Sequence, residues 1–350
     1  MFDVLIAGAG PAGAAAALTI RRMAPKMRMC LSDPGQRAHS IGEGLPPAIA
    51  PMLRVLGLWD DFVAQGHLRA HQTQAAWGQA QLQSNDFLFL GKGSGWTLDR
   101  VAFNQLLRDA AFAVGDLSLR ANLKGLERNG DGWVAKVGHH LIKARCVIDA
   151  TGRGCTVARL TGARPVLHDK LVAVVRQGKM PHQGALGVTV SARPDGWWYS
   201  APTGPDRRMW AWLTDSDLLR DQPISDPARW PEALNDSPEM RALAEGAVFE
   251  PRLVIPAMTQ NVQPVTDALP FLSIGDAASC FDPASSQGIA KALRSGIFAG
   301  YALYDHLIRG DGNAFGKHRA MMGQEFDTYQ AQHAMHYGAE RRWPAEPFWA

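Results

Sequence analysis

The chain has 350 residues, 46% hydrophobic and 20% charged, which suits one large or two closely packed globular domains and excludes a disordered, collagen-like or coiled-coil protein. Its 36 Lys and Arg against 33 Asp and Glu leave a net charge of +3, spread along the chain without a basic arm, so no nucleic-acid partner is expected. Cys30, Cys146, Cys155 and Cys280 form no C-x-x-C, and no apolar run reaches the roughly 18 residues of a membrane span. No basic n-region precedes the first apolar run, so a cytoplasmic protein is expected, with no membrane partner.

Phe2 to Ala7 is an almost wholly apolar run of the kind that both faces of a parallel sheet bury. Gly8-Ala9-Gly10-Pro11-Ala12-Gly13 follows, then an alanine-rich helix to Arg22, a second apolar run from Met27 to Ser32, and Asp33. This order is one βαβ unit carrying G-x-G-x-x-G. Gly8 allows the tight turn, Gly10 lets a pyrophosphate approach the backbone, and Gly13 lets helix and strand pack closely. Ala12 lies in the first helical turn, whose free N–H groups and dipole favour phosphate, and Asp33 stands where a ribose-binding acid is expected.

Apolar spacing from Ala48 predicts a helix closed by Gly57, and Arg100 to Phe112 predicts another. Cys146 to Ile148 and Phe271 to Ile274 read as buried strands. Between them, Leu186 to Ser191, Gly196 to Pro202 and Arg208 to Thr214 read as antiparallel strands joined by turns at Pro194-Asp195-Gly196 and Gly204-Pro205-Asp206. A long helix is expected after Ser285 to about Leu307, and a helical tail beyond it. His67 and His71, and His333 and His336, have spacings that suit a metal on a helix. Neither pair has a convincing carboxylate or cysteine, so solvated helix faces and no metal are expected.

Gly275-Asp276-Ala277-Ala278, with Pro283 and Ser286-Gln287-Gly288-Ile289, resembles the second flavin fingerprint of the FAD-dependent aromatic hydroxylase and halogenase superfamily. Asp99-Arg100-Val101-Ala102-Phe103 looks like the segment whose arginine reaches FAD, and Asp149-Ala150-Thr151-Gly152 looks like the middle nucleotide motif. Gly42-Glu43-Gly44-Leu45-Pro46-Pro47 is similar to the halogenase strap. The resemblance implies a para-hydroxybenzoate hydroxylase type of α/β fold: a Rossmann-like FAD-binding domain (1–75, 97–165, 256–310), an inserted antiparallel-sheet substrate domain (76–96, 166–255) and a helical C-terminal segment (311–350). It implies FAD on Gly8, Gly10, Ala12, Gly13, Asp33, Glu43, Arg100, Gly275, Asp276, Pro283, Gly288 and Ile289.

The departures narrow the reaction. Gln74-Ala75-Ala76-Trp77-Gly78, where halogenases carry a lysine, has none, and their W-x-W-x-x-P appears only as Trp197-Trp198-Tyr199-Ser200-Ala201-Pro202. The strap, that strand, Asp282-Pro283 and the Arg342-Trp343-Pro344 to Pro347-Phe348-Trp349 ending resemble halogenase-like flavoproteins that hydroxylate a partner protein's tryptophan in tryptophylquinone biogenesis. That resemblance implies hydroxylation of an indole by O2 through a flavin C4a-hydroperoxide, with electrons from NAD(P)H or a separate flavin reductase. Trp77, Trp197 and Tyr199 are the candidate substrate residues, in a broad cleft with the C-terminal segment at its rim. Glu43 and Tyr199 are the candidate catalytic groups, and Trp210 and Trp212 are expected in the core. A small-molecule flavin halogenase or reductase, or a noncatalytic flavin-binding maturation chaperone, are the alternatives.

Overall fold

A computed structural model describes residues 1–35, 44–87, 93–181, 187–263 and 269–350. Its helices are α1 (Pro11–Met23), α2 (Ile49–Val55), α3 (Trp59–Ala64), α4 (Arg100–Val114), α5 (Thr156–Leu160), α6 (Trp230–Asn235), α7 (Pro238–Leu243), α8 (Gly288–Leu307) and α9 (Ala314–Gly338). No helix of the described residues is long and apolar enough to cross a membrane.

The first apolar run forms the centre of a seven-stranded sheet. Phe2–Ala7 pairs in parallel with Met29–Ser32 on one side and His140–Asp149 on the other, and Phe271–Ser273 joins in parallel beyond. Val4, Leu5, Ile6 and Ala7 are fully buried, which is why this strand carries apolar residues without alternation. Helices α1 and α8 pack on one face so tightly that a Cβ on Gly296 would clash with the Ala12 carbonyl oxygen, and one on Gly300 would come within 2.7 Å of Thr19. Gly57, at φ +73°, closes α2 as expected, and the chain then starts the separate helix α3.

The three middle strands are Val188–Arg193, Gly196–Gly204 and Arg207–Asp215, antiparallel neighbours in an eight-stranded sheet. Gln72–Ala76 and Gln83–Asp86 extend it, so residues 72–75, placed with the cofactor domain by sequence, hydrogen-bond into this eight-stranded sheet. Alternation gives the sheet two faces. Trp197, Tyr199, Met209, Ala211 and Leu213 share one, against which Ala284 of the second fingerprint packs. Trp198, Trp210 and Trp212 share the other, covered by Ile224, Trp230, Leu234 and Met240. Trp210 and Trp212 are therefore core residues, as expected.

His67 and His71 do not share a helix. They flank the short strand Leu68–Ala70, which pairs with Gly95–Thr97, so the periodicity of this stretch is that of a strand. His333 and His336 do lie on α9: His336 is on its exposed side, as expected, although its ring stacks 4.3 Å from Trp77, whereas His333 is partly buried with Nε2 3.2 Å from Asp282 Oδ2.

Candidate cofactor and substrate site

The glycine turn meets the geometric demands of a dinucleotide cradle. Gly8 adopts φ +105°, and its N–H donates to the Ser32 carbonyl at 2.7 Å. A Cβ on Gly13 would clash with the Gly8 carbonyl oxygen, whereas a Cβ on Gly10 meets nothing within 4 Å. That open space lies at the N-terminus of α1, where unpaired N–H groups and the helix dipole attract phosphate, so the residues present fit a pyrophosphate. Asp33 Oδ2 accepts from Ala9 N–H at 2.8 Å, and Oδ1 accepts from Gly35 N–H at 2.8 Å and Arg108 Nε at 3.1 Å. Arg108 was not singled out by sequence. The signal was an arginine directly beside the buried stripe Phe103, Leu107 and Ala111 of α4.

Arg100 opens α4 behind the cap Asp99, whose Oδ1 accepts from the N–H groups of Val101 and Ala102. In the middle motif, Asp149 is fully buried and turned inward. Its carboxylate accepts from Thr151 Oγ1 at 2.6 Å, Thr151 N–H at 3.1 Å and Ala158 N–H at 3.0 Å, while burial pushes its pKa up. It shapes the loop before α5 rather than presenting a free carboxylate.

In the second fingerprint, Gly275 takes φ +56°, a Cβ there would lie 2.8 Å from Ala12, and its N–H donates to Ser295 Oγ at 2.9 Å. The loop thus sits against the first turn of α1, next to the Gly10 opening. Asp282 caps the turn Pro283–Ser285 by accepting from Ala284 N–H at 2.6 Å, and Ser286 at φ +50° redirects the chain into α8. Gly288 heads α8 with open space in front of it, and Ile289 is buried behind. Two open helix N-termini, at Gly10 and Gly288, suit a ligand with a phosphate end and a ring that gains negative charge.

The substrate candidates are brought together, and among the described residues they are packed against the C-terminal segment rather than lining a broad cleft. Tyr199 Oη accepts from Gly44 N–H at 3.3 Å, tying the strap to the sheet. Gly42 and Glu43 lie outside the described residues. Trp197 is 0% exposed and donates from Nε1 to Tyr337 Oη at 3.0 Å. Trp77 donates to the His336 carbonyl at 2.8 Å and lies edge-on to Trp197, Tyr337 and Trp349, at 6.0, 5.3 and 5.3 Å. Residues 336–349 thus cover the face that was expected to open, because their aromatic rings bury more apolar surface there than they would in water. Bonds from Trp349 Nε1 to the Arg193 carbonyl and from Gly78 N–H to Glu340 hold this cover in place. A groove of 360 Å³ lies between α8 and α9, lined by residues including Gln287, Arg294, Phe298 and Tyr329.

A Rossmann-like sheet with two open helix N-termini, abutting an antiparallel sheet rich in aromatics, defines an FAD-dependent oxidoreductase of the monooxygenase and halogenase type. The chain belongs to the FAD_binding_3 family, described as an FAD binding domain, which its residues 1–314 match. It is 26% identical over 360 residues, covering 99% of this chain and 96% of the relative, to LodB of Marinomonas mediterranea, named as an FAD-dependent oxidoreductase. Among solved structures it resembles the flavin-dependent halogenase CmlS at 24% identity and TM-score 0.85, covering 99% of this chain and 66% of CmlS. It also resembles QhpG, a peptidyl tryptophan dihydroxylase essential for tryptophylquinone cofactor biogenesis, at 22% identity and TM-score 0.78, covering 99% of this chain and 77% of QhpG.

Proposed function

We propose that the chain is a cytoplasmic FAD-dependent monooxygenase that hydroxylates an indole, the side chain of a tryptophan on a partner protein. The observation that carries this reading is the Pro283 turn, which packs through Ala284 against the sheet face of Trp197 and Tyr199 and leads to the open N-terminus of α8 at Gly288. Residues 336–349 cover that face, so an indole would approach from the Gly288 side. FAD would rest on Gly8, Gly10, Ala12, Gly13, Asp33, Arg100, Gly275, Asp276, Pro283, Gly288 and Ile289. When bound and reduced, it supplies activation of O2 and transfer of an electrophilic oxygen. The chain's part is to hold an electron-rich ring against it and keep water out, which needs little acid–base assistance. A chain with one G-x-G-x-x-G has no second site of that kind for nicotinamide, which favours electrons from a separate flavin reductase.

Halogenation is the second reading, favoured by the likeness to CmlS and by 24% identity over 330 residues to a pyrrole-carrier brominase of Pseudoalteromonas luteoviolacea. Against it, residues 74–78 contain no lysine to capture oxidised halogen. Reduced enzyme given isotopically heavy dioxygen, chloride, bromide and a tryptophan-bearing partner should place heavy oxygen on the indole and leave free tryptophan unhalogenated. Halogenated product in excess of enzyme would establish the second reading. No modification at all would leave a flavin-binding maturation chaperone.

A further inference from the structure

Lys291 lies on the buried face of α8 among Ile289, Ala290, Ala292 and Leu293, and is 1% exposed. A buried ammonium is costly unless its charge and its N–H bonds are met, and an apolar side chain of similar size is commonly as stable there. Here every donor is engaged. Nζ donates to Asp276 Oδ1 at 3.1 Å and to the Ser279 carbonyl, and lies 4.4 Å from the centre of the Phe281 ring. The partner is used on one side only: the Asp276 side chain keeps 43% exposure, and no described residue bonds to its Oδ2. Asp276 follows Gly275, which touches Ala12 in the first turn of α1, so this free oxygen belongs to the same cradle as the Gly10 opening.

We propose that Lys291 is a positioning residue for the cofactor. It fixes the Asp276 carboxylate with Oδ2 directed to FAD hydroxyls and neutralises its charge beside the doubly negative pyrophosphate. With its N–H bonds spent inside the protein, Lys291 acts through Asp276 and does not touch FAD. A bare carboxylate in that cradle would repel the phosphates through a medium that screens less than water. The inference rests on Asp276 facing FAD. The sequence shows the signal as one charge inside Gly288-Ile289-Ala290-Lys291-Ala292-Leu293.

The test is FAD titration of apoprotein carrying Lys291→Met, Lys291→Gln, Asp276→Asn and the Lys291→Met/Asp276→Asn pair, with the apoprotein melting temperature followed in parallel. Lys291→Met should bind FAD at least about tenfold more weakly at low salt, and added salt should recover part of the loss, because screening weakens the repulsion. Lys291→Gln, which can still donate to Asp276 but carries no charge, should bind FAD more weakly than wild type, lose less than Lys291→Met, and show the same direction of salt response. The double variant should bind better than the two single losses predict together, since neither charge remains. Wild-type affinity in Lys291→Met or Lys291→Gln, or additive losses unaffected by salt, would overturn the inference and leave Lys291 as packing. Wild-type affinity in Asp276→Asn would instead strike the placement of Asp276 on FAD.

Discussion

Tyr337 donates its phenolic hydrogen to Asp282 Oδ2 at 2.7 Å, joining the last turns of α9 to the residue that caps the Pro283 turn. The same phenol oxygen accepts from Trp197 Nε1, so one hydroxyl links α9, the Pro283 turn and the eight-stranded sheet. Burial, and then the charge of Asp282, push the Tyr337 pKa well above its ordinary range, which keeps the hydrogen on the phenol where Asp282 needs a donor.

Tyr337→Phe removes that junction, taking from Trp197 Nε1 its acceptor and leaving Asp282 Oδ2 with the His333 contact. The expected loss is about 2 kcal/mol of stability in urea unfolding. It should exceed the loss for Tyr301→Phe, whose ring is 38% exposed. Equal losses would show that the junction contributes nothing.

Arg108 and Asp33 form a buried pair at 3.1 Å. Removing one partner strands the other's charge, so Arg108→Met should cost about 3 kcal/mol. It should also weaken FAD binding, because Asp33 loses the group that orients Oδ1. Unfolding curves and FAD titration check the two effects separately, and unchanged FAD affinity would show that Ala9 and Gly35 suffice to hold the carboxylate.

Gly10 and Gly13 should respond differently to a larger side chain. Gly10 has an ordinary φ of −71° and open space, so Gly10→Val should fold but fill the pyrophosphate position, giving colourless protein with native circular dichroism. Gly13→Val places its Cβ into the Gly8 carbonyl and should yield little folded protein. Yellow, FAD-loaded Gly10→Val would contradict the placement of the phosphates.

His318 is 3% exposed with Nε2 3.4 Å from the Ser295 carbonyl, and burial lowers its pKa from 6.5 to about 4. The unfolded chain takes up this proton first, so the neutral histidine's contribution is complete above about pH 6.5 and is lost as the pH falls toward 4. The difference corresponds to about 3 kcal/mol. His318→Gln should flatten this part of the stability profile. His67 and His336 shift in the same direction and remain in both proteins, so the comparison isolates His318. Identical slopes between pH 6.5 and 4 would refute the assignment.

The cofactor half of this protein is written locally. Gly8, Gly10 and Gly13 act through backbone freedom and the absence of a Cβ, and Asp33 follows one strand later. Gly275, Pro283 and Gly288 punctuate a turn and a helix start, so residue type and short spacing suffice to read them. The short apolar strands and the alternation around Trp197 and Tyr199 are legible for the same reason: their periods are those of the elements themselves. What tertiary structure alone decided is which distant side chains meet. Arg108 reaches Asp33 across 75 residues and Tyr337 reaches Asp282 across 55, and no spacing rule connects such pairs. Composition likewise supplied the tryptophans but not their surroundings. Only the docking of α9 and residues 339–349 onto the sheet put His336 and Trp349 over Trp77, where a cleft was expected. The physical reason is that a backbone's local preferences are encoded residue by residue, whereas the burial of a side chain depends on the surface that another part of the chain brings to it.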